Sequence, residues 1–259
     1  MVLSRLARRR SWLAAVAVAL VLLSLLPPAG TYARRQVFAE SLQFILFATV
    51  VPALLVLGAP WRLPRLGPPD GRGLARRLAR RPGRSGFARA VAVLLVFMGA
   101  VIAWRLPVSV NALATLPGFA VLEMVTLVVA GSALWLELVE SPPLLPGLSR
   151  PLRAVFAAAA MWTIWVVAYI LGFSQVAWFS AYAHAAGLSP VVDQEIATGI
   201  MWAVPALCFI PVVYVCAMTW LKDTEDADEG LRAIVQAERP QPGPGRWPRP
   251  PRGWDTHSA

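Results

Sequence analysis

The chain is poor in the residues on which most catalytic, metal and disulfide sites depend. Among 259 residues there are two histidines and two cysteines, Cys208 and Cys216. Both cysteines fall in one apolar segment, so a disulfide framework is not expected. No CxxC, HxxxH, P-loop or GxGxxG pattern occurs in the sequence, and such patterns are what would indicate a metal or nucleotide site. We therefore predict a protein that is not an enzyme.

Acidic residues are also scarce, whereas apolar residues dominate. The chain has 24 basic residues against 14 acidic ones, a net charge of +10, and Lys222 is its one lysine. Hydrophobic residues make up 58% of the chain, the mean hydropathy is +0.60, and these residues occur in blocks. A helix that crosses a bilayer needs about 20 apolar residues. These blocks predict an all-α integral membrane protein.

Six apolar segments predict a bundle of about six transmembrane helices, because helices satisfy their own backbone hydrogen bonds in lipid. The predicted spans are residues 12–27, 39–59, 88–104, 118–139, 154–173 and 196–221. The first segment is short and follows a basic start, so a cleaved signal peptide is an alternative for it. The spans form a membrane domain over residues 1–221 with a basic loop at 61–87, and a tail at 222–259 is predicted to be disordered.

The arginines predict the orientation of the bundle. With both termini in the cytoplasm, 21 of the 24 basic residues lie inside and only Arg34, Arg35 and Arg105 lie outside. Short cytoplasmic loops carry such an excess. The charge therefore indicates topology, together with attraction of anionic lipid to the loop at 62–89, and no nucleic acid is expected. The arginine- and alanine-rich composition suggests a bacterium, so we predict a multi-pass protein of the bacterial plasma (inner) membrane.

Several polar residues are predicted to lie on the extracytoplasmic side of this bundle. They are Glu40, Gln43, Glu123, His184, Asp193, Gln194 and Glu195. A carboxylate at the bilayer centre costs roughly 2.5–3.5 kcal/mol, so Glu123 is expected to face the bundle interior or a water-filled vestibule. Two interpretations stay open for the group: a polar site where helices converge, or a collar of acids that meet helix dipoles at N-termini.

Methionines near these acids raise the question of a metal. Met124 adjoins Glu123, and Met201 lies about two helical turns beyond Asp193. Thioethers suit Cu(I), whereas carboxylates suit harder cations, and methionine in an apolar helix often serves only packing. The candidate metal ligands are Glu40, Glu123, Met124, Asp193 and Met201. Gln43, His184 and Gln194 would complete the polar vestibule.

Three stretches resemble the CtaG-like family of cytochrome c oxidase assembly proteins. They are "VVPALLVLGAP", "LEMVTLVVAGSALWLELVESPP" and "AYAHAAGLSPVVDQEIATGIMW". Members of that family generally carry histidine pairs one turn apart in the second and fourth spans, a spacing that puts two imidazoles on one helix face. The matching positions are here Glu40 and Phe44, and Ala120 and Met124. All four family histidines are absent.

The resemblance implies a non-enzymatic assembly factor for a haem–copper cytochrome c oxidase. It would act at the extracytoplasmic face in copper handling or subunit scaffolding, with oxidase subunits as partners and copper as the implied ion. Because the histidines are absent, scaffolding is favoured over copper delivery. The alternatives are a small transporter or channel for a cation or solute, which needs polar residues along its whole path, and a structural subunit of a respiratory complex.

Overall fold

The computed structural model describes residues 2–59, 84–116, 118–141, 144–182 and 187–238. It is 84% helical. Within the described ranges there is no β-strand, and an isolated bridge joins Ser141 to Leu144. The predicted all-α membrane fold is therefore confirmed. Loop residues 60–83, His184 and residues 239–259 lie outside the described residues, as does most of the predicted lipid-binding loop.

Nine α-helices follow one another along the described chain. They are α1 (Val2–Leu25), α2 (Ala29–Ala33), α3 (Val37–Ile45), α4 (Val51–Gly58), α5 (Arg84–Arg105), α6 (Pro107–Thr115), α7 (Phe119–Leu138), α8 (Arg150–Gly172) and α9 (Pro190–Glu238). A π-helical turn (Leu46–Val50) joins α3 to α4, and a 3₁₀ turn (Ser180–Tyr182) precedes α9.

Five helical segments among the described residues are long and apolar enough to cross a membrane. They are Val37–Gly58, Gly86–Arg105, Phe119–Leu138, Arg150–Gly172 and Pro190–Gly230. The first predicted span corresponds to a shorter apolar stretch, Trp12–Leu25, inside α1. This stretch falls short of the roughly 20 residues that a bilayer core requires. The other five predicted spans coincide with the five long helices to within a few residues at most ends, the main exception being the end of α9.

The second span contains a local distortion whose cause is Pro52. A proline ring crowds the carbonyl four residues earlier and cannot donate a hydrogen bond, and a π-helical turn relieves such crowding. Thr49 Oγ1 donates to the Ile45 carbonyl 2.7 Å away inside this turn. Gly131 of α7 packs against this π-helical turn. A Cβ at that position would lie only 2.6 Å from the Ala48 carbonyl oxygen. The missing side chain allows α7 to approach the second span closely.

The last helix continues beyond its predicted end at residue 221. It extends to Glu238 without a break, passing through Pro205 and Pro211. Residues 222–238 are thus helical where the sequence predicted disorder, and ten of these 17 residues are Ala, Glu, Leu, Lys, Arg or Gln, which favour helix. The chain divides into two compact units, Met1–Met218 and Thr219–Ala259. All of the polar residues considered below belong to the first unit.

The first unit has an apolar core and an apolar exterior. Its main core includes Phe44, Phe97, Leu127 and Ile164, all fully buried. A smaller cluster surrounds Val37 at the start of α3. Many large apolar side chains are exposed, a pattern that would be unusual for a soluble monomer and that suits helices facing lipid.

Candidate functional site

A buried arginine connects three of the spanning helices. Arg105 is the last residue of α5, and its side chain is 1% exposed. The guanidinium donates hydrogen bonds to the Glu40 carboxylate and, over 2.9 Å, to Ser41 Oγ, both on α3. It also lies 3.9 Å from Glu123 Oε1 on α7 and 4.0 Å from the centre of the Phe44 ring. We name Arg105, Glu40, Ser41, Phe44 and Glu123 the Arg105 cluster.

The partners of Arg105 are not evident from the sequence. The sequence predicts Arg105 as an outer charge that marks topology, and the structure shows that its side chain is buried among carboxylates. Burying an ion costs several kcal/mol unless partners compensate for its lost hydration, and Glu40 and Ser41 supply that compensation. The signal in the sequence was an arginine ending an apolar span while neighbouring spans carry Glu40 and Glu123 near the same end.

Glu123 is the least satisfied member of the Arg105 cluster. Its residue is 1% exposed, and neither carboxylate oxygen accepts a hydrogen bond from any described residue. The side chain lines a cavity of about 80 Å³ together with Glu40, Gln43 and the exposed Arg34. The predicted placement of Glu123 toward a bundle-interior vestibule matches this geometry.

Asp193 caps a helix, but not its own. Its two carboxylate oxygens accept hydrogen bonds from the backbone N–H groups of Val37 and Phe38, each over 2.8 Å. These N–H groups belong to the first turn of α3, which lacks intrahelical acceptors, and a carboxylate there also meets the positive end of the helix dipole. Of the two interpretations of the acidic group, capping therefore describes Asp193.

The two amides predicted to complete the vestibule, Gln43 and Gln194, hold neighbouring segments, and of the two only Gln43 lines the cavity beside Glu123. Gln194 Nε2 donates to the Leu171 carbonyl over 2.8 Å, and its Oε1 accepts the Trp178 N–H over 3.0 Å, which fixes the chain after α8. Gln43 Nε2 donates to the Ser24 carbonyl over 3.3 Å. Tyr182 ties the 3₁₀ turn to the end of α2 through the Ala33 carbonyl, 3.3 Å from its hydroxyl. Burial raises the pKa of this phenol, so it remains a neutral donor.

The predicted metal ligands do not converge as a set. Glu40 and Glu123 flank Arg105, Asp193 binds the backbone of α3, and Met201 is fully buried in the apolar core. Met124 is partly buried against the same core. Within the described ranges, no group of three or more His, Cys, Asp or Glu side chains is arranged to hold a metal ion. Copper binding at these residues stays a prediction.

A second buried carboxylate lies toward the other end of α7. Glu137 is fully buried, and its Oε1 accepts a hydrogen bond from Arg89 Nε of α5 over 3.1 Å. Its Oε2 accepts the Gly147 N–H over 3.4 Å. At 1.5 Å per residue, Glu123 and Glu137 lie about 21 Å apart along α7. We name Glu137, Arg89 and Gly147 the Glu137 pair site.

Taken together, these features define a polytopic helical membrane protein whose buried charges and caps join its helices. The chain belongs to the cytochrome c oxidase caa3 assembly factor (Caa3_CtaG) family, whose model matches residues 3–223. The resemblance noted in the sequence is thereby confirmed, and the family supports a role in oxidase assembly. Comparisons with curated proteins and with solved structures found no match.

Proposed function

We propose that this protein is a non-enzymatic scaffold that holds cytochrome c oxidase subunits during assembly, at the extracytoplasmic face of the bacterial plasma membrane. Family membership supports the assembly role. The arginine distribution supports the location, because a cytoplasmic basic loop at 61–87 and a cytoplasmic C-terminus put the Arg105 cluster at the extracytoplasmic end.

The surroundings of Arg105 support scaffolding over copper delivery. In the second span, the two positions that match the family histidines are Glu40 and Phe44, and both contact the Arg105 guanidinium. The Glu40 carboxylate is thus already bound to Arg105, and phenylalanine cannot ligate a metal. Cu(I) prefers thiolate, thioether and imidazole ligands. A cluster of this composition is suited to holding α3, α5 and α7 in a fixed arrangement that partner subunits can recognise.

The interior of α7 supports the scaffold over the transport alternative. Between Glu123 and Glu137, the buried side of this helix consists of Leu127, Ala130, Gly131, Leu134 and Trp135. A transport path needs polar side chains along its length. The apolar stretch separates the two buried acids instead.

The proposal is tested by the a-type haem absorbance of membranes from a strain that lacks this gene, grown with and without added copper. We expect the absorbance to fall, copper to leave it low, and the wild-type gene to restore it. Recovery with copper alone would show that the protein supplies copper and would contradict the scaffold. Unchanged absorbance would contradict any role in oxidase assembly.

A structural subunit would differ from a scaffold in remaining bound. We expect the tagged protein to co-purify with oxidase subunits from growing cells but to be absent from the mature, fully metallated enzyme. Stoichiometric recovery with the mature enzyme would make it a subunit of the complex.

A further inference from the structure

We propose that the cavity beside Glu123 binds one small, hard, monovalent cation of the Na⁺ class, with Glu123 as its main ligand. The proposal stands on the charge and shape of this cavity. It does not depend on which protein the scaffold serves.

The first argument is the charge of the Arg105 cluster. Arg105 donates directly to Glu40, and Ser41 Oγ lies 3.4 Å from Glu40 Oε2, so that carboxylate is fully engaged. Glu123 is only within 3.9 Å of the same guanidinium and accepts no hydrogen bond from the described residues. Among the buried side chains, two carboxylates thus share one arginine, which leaves one negative charge that is offset only by Arg34, the exposed arginine in the cavity lining. A buried carboxyl group in that situation either takes up a proton or requires a counter-charge.

The second argument is the space beside that carboxylate. The cavity of about 80 Å³ has Glu40, Gln43 and Glu123 in its lining. A water molecule needs roughly 10–15 Å³ of such volume, so an ion with a few waters fits and a larger organic cation does not. Gly30, Ala33 and Ala120 form part of the remaining wall, and their small size keeps the space open.

The third argument concerns the type of ion. The polar lining offers carboxylate and amide oxygens, which suit hard cations. No methionine, cysteine or histidine is among the described residues that line the cavity, so a soft ion such as Cu(I) finds no preferred ligand there. One surplus negative charge matches one positive charge. A divalent ion would leave an excess beside Arg34, the exposed arginine in the lining.

The test uses the full-length protein in detergent, with unfolding followed by tryptophan fluorescence. Sodium, potassium or lithium chloride replaces choline chloride at constant ionic strength. A ligand that binds only the folded state raises Tm in a saturable way, and we expect a rise on the order of a few degrees for at least one of these ions. Equilibrium dialysis with radioactive sodium measures the same site directly, with one ion expected per chain.

Two variants assign the response to the cavity. Glu123→Gln removes the surplus charge with little change of shape and should abolish both the Tm rise and sodium binding. Ala120→Leu fills the cavity without changing any charge and should do the same, which keeps the test decisive if Glu123→Gln fails to fold. The matched control is Glu195→Gln, which removes an exposed carboxylate from the first turns of α9 and should retain the full response.

Three outcomes would overturn the proposal. A response that survives both variants places the ion elsewhere. A Tm that depends on pH through Glu123 but not on the identity of the cation would show that the carboxyl group holds a proton and the cavity only water. Stabilisation by copper alone, in reducing buffer, would make the site a soft-metal site. Each result is independent of the haem measurement, so the failure of one proposal leaves the other standing.

Discussion

Two buried glutamates of α7, Glu123 and Glu137, differ in the partners that compensate their charges. Glu137 is paired with Arg89, whose side chain is 38% exposed, and its second oxygen accepts a backbone N–H. Glu123 faces an arginine that is 1% exposed and already engaged by Glu40. Water can reach the arginine of the Glu137 pair site but not that of the Arg105 cluster. In the first arrangement both carboxylate oxygens of Glu137 accept hydrogen bonds, whereas in the second neither oxygen of Glu123 accepts one from a described residue.

The largest expected effect comes from removing the central arginine. Arg105→Met leaves two buried carboxylates without their cation, and breaking a buried pair in this way costs about 3–5 kcal/mol. We expect a strongly lowered Tm and little protein in the membrane, measured by fluorescence unfolding and immunoblot.

Arg89→Met is the comparison for that variant. The Arg89 side chain is partly exposed, so water can reach Glu137 once the arginine is removed. The fall in Tm should therefore be clearly smaller than for Arg105→Met. Equal losses for the two arginine variants would show that the two sites do not differ in the way the structure indicates.

The apolar contact between the two sites gives the next effect. Gly131→Ala would place a Cβ 2.6 Å from the Ala48 carbonyl oxygen and 2.7 Å from Pro52 Cγ. Overpacking of this kind costs roughly 1–3 kcal/mol, because α7 must move away from the second span. We expect this destabilisation to appear as a lowered Tm. Gly99→Ala on α5 is the control, since a Cβ there meets nothing within 4 Å, and its Tm should be unchanged or slightly raised.

Removing the cap of α3 should have a moderate effect at the Arg105 end alone. Asp193→Ala leaves the N–H groups of Val37 and Phe38 without acceptors, and loss of an N-terminal cap costs roughly 0.5–2 kcal/mol. Hydrogen exchange should increase at the start of α3 while the backbone around Gly147 stays protected. If exchange rises equally at both ends, Asp193 does more than cap one helix.

The smallest effect is expected at a surface pair. Arg153 lies 3.3 Å from Glu140, whose side chain is 57% exposed. Exposed pairs contribute about 0–1 kcal/mol. Glu140→Gln should therefore leave Tm within about a degree of wild type at high salt, where the remaining attraction is screened. A larger fall would mean that Glu140 has partners besides this arginine.

Sequence reasoning located the polar residues but not their partners. Glu40, Gln43 and Glu123 were placed near one end of the bundle, and they do line one cavity. Asp193 was recognised as a helix-terminal acid, yet the helix that it caps begins 156 residues earlier. Arg105 is predicted on the outer side as a topology charge, but its burial is not, because an arginine at the end of a span satisfies the topology rule whether its side chain faces solvent or the bundle interior.

The sequence by itself determined the class of the protein, most of its spans and its family. Long apolar blocks leave the backbone no option in lipid but to form helices, and that constraint acts locally. Only the tertiary structure decided which helices are neighbours. It therefore decided that Arg105 meets Glu40 across 65 residues of sequence and that Glu123 accepts no hydrogen bond from the described residues. The balance of charge in a buried site depends on those distant contacts, which no local pattern contains.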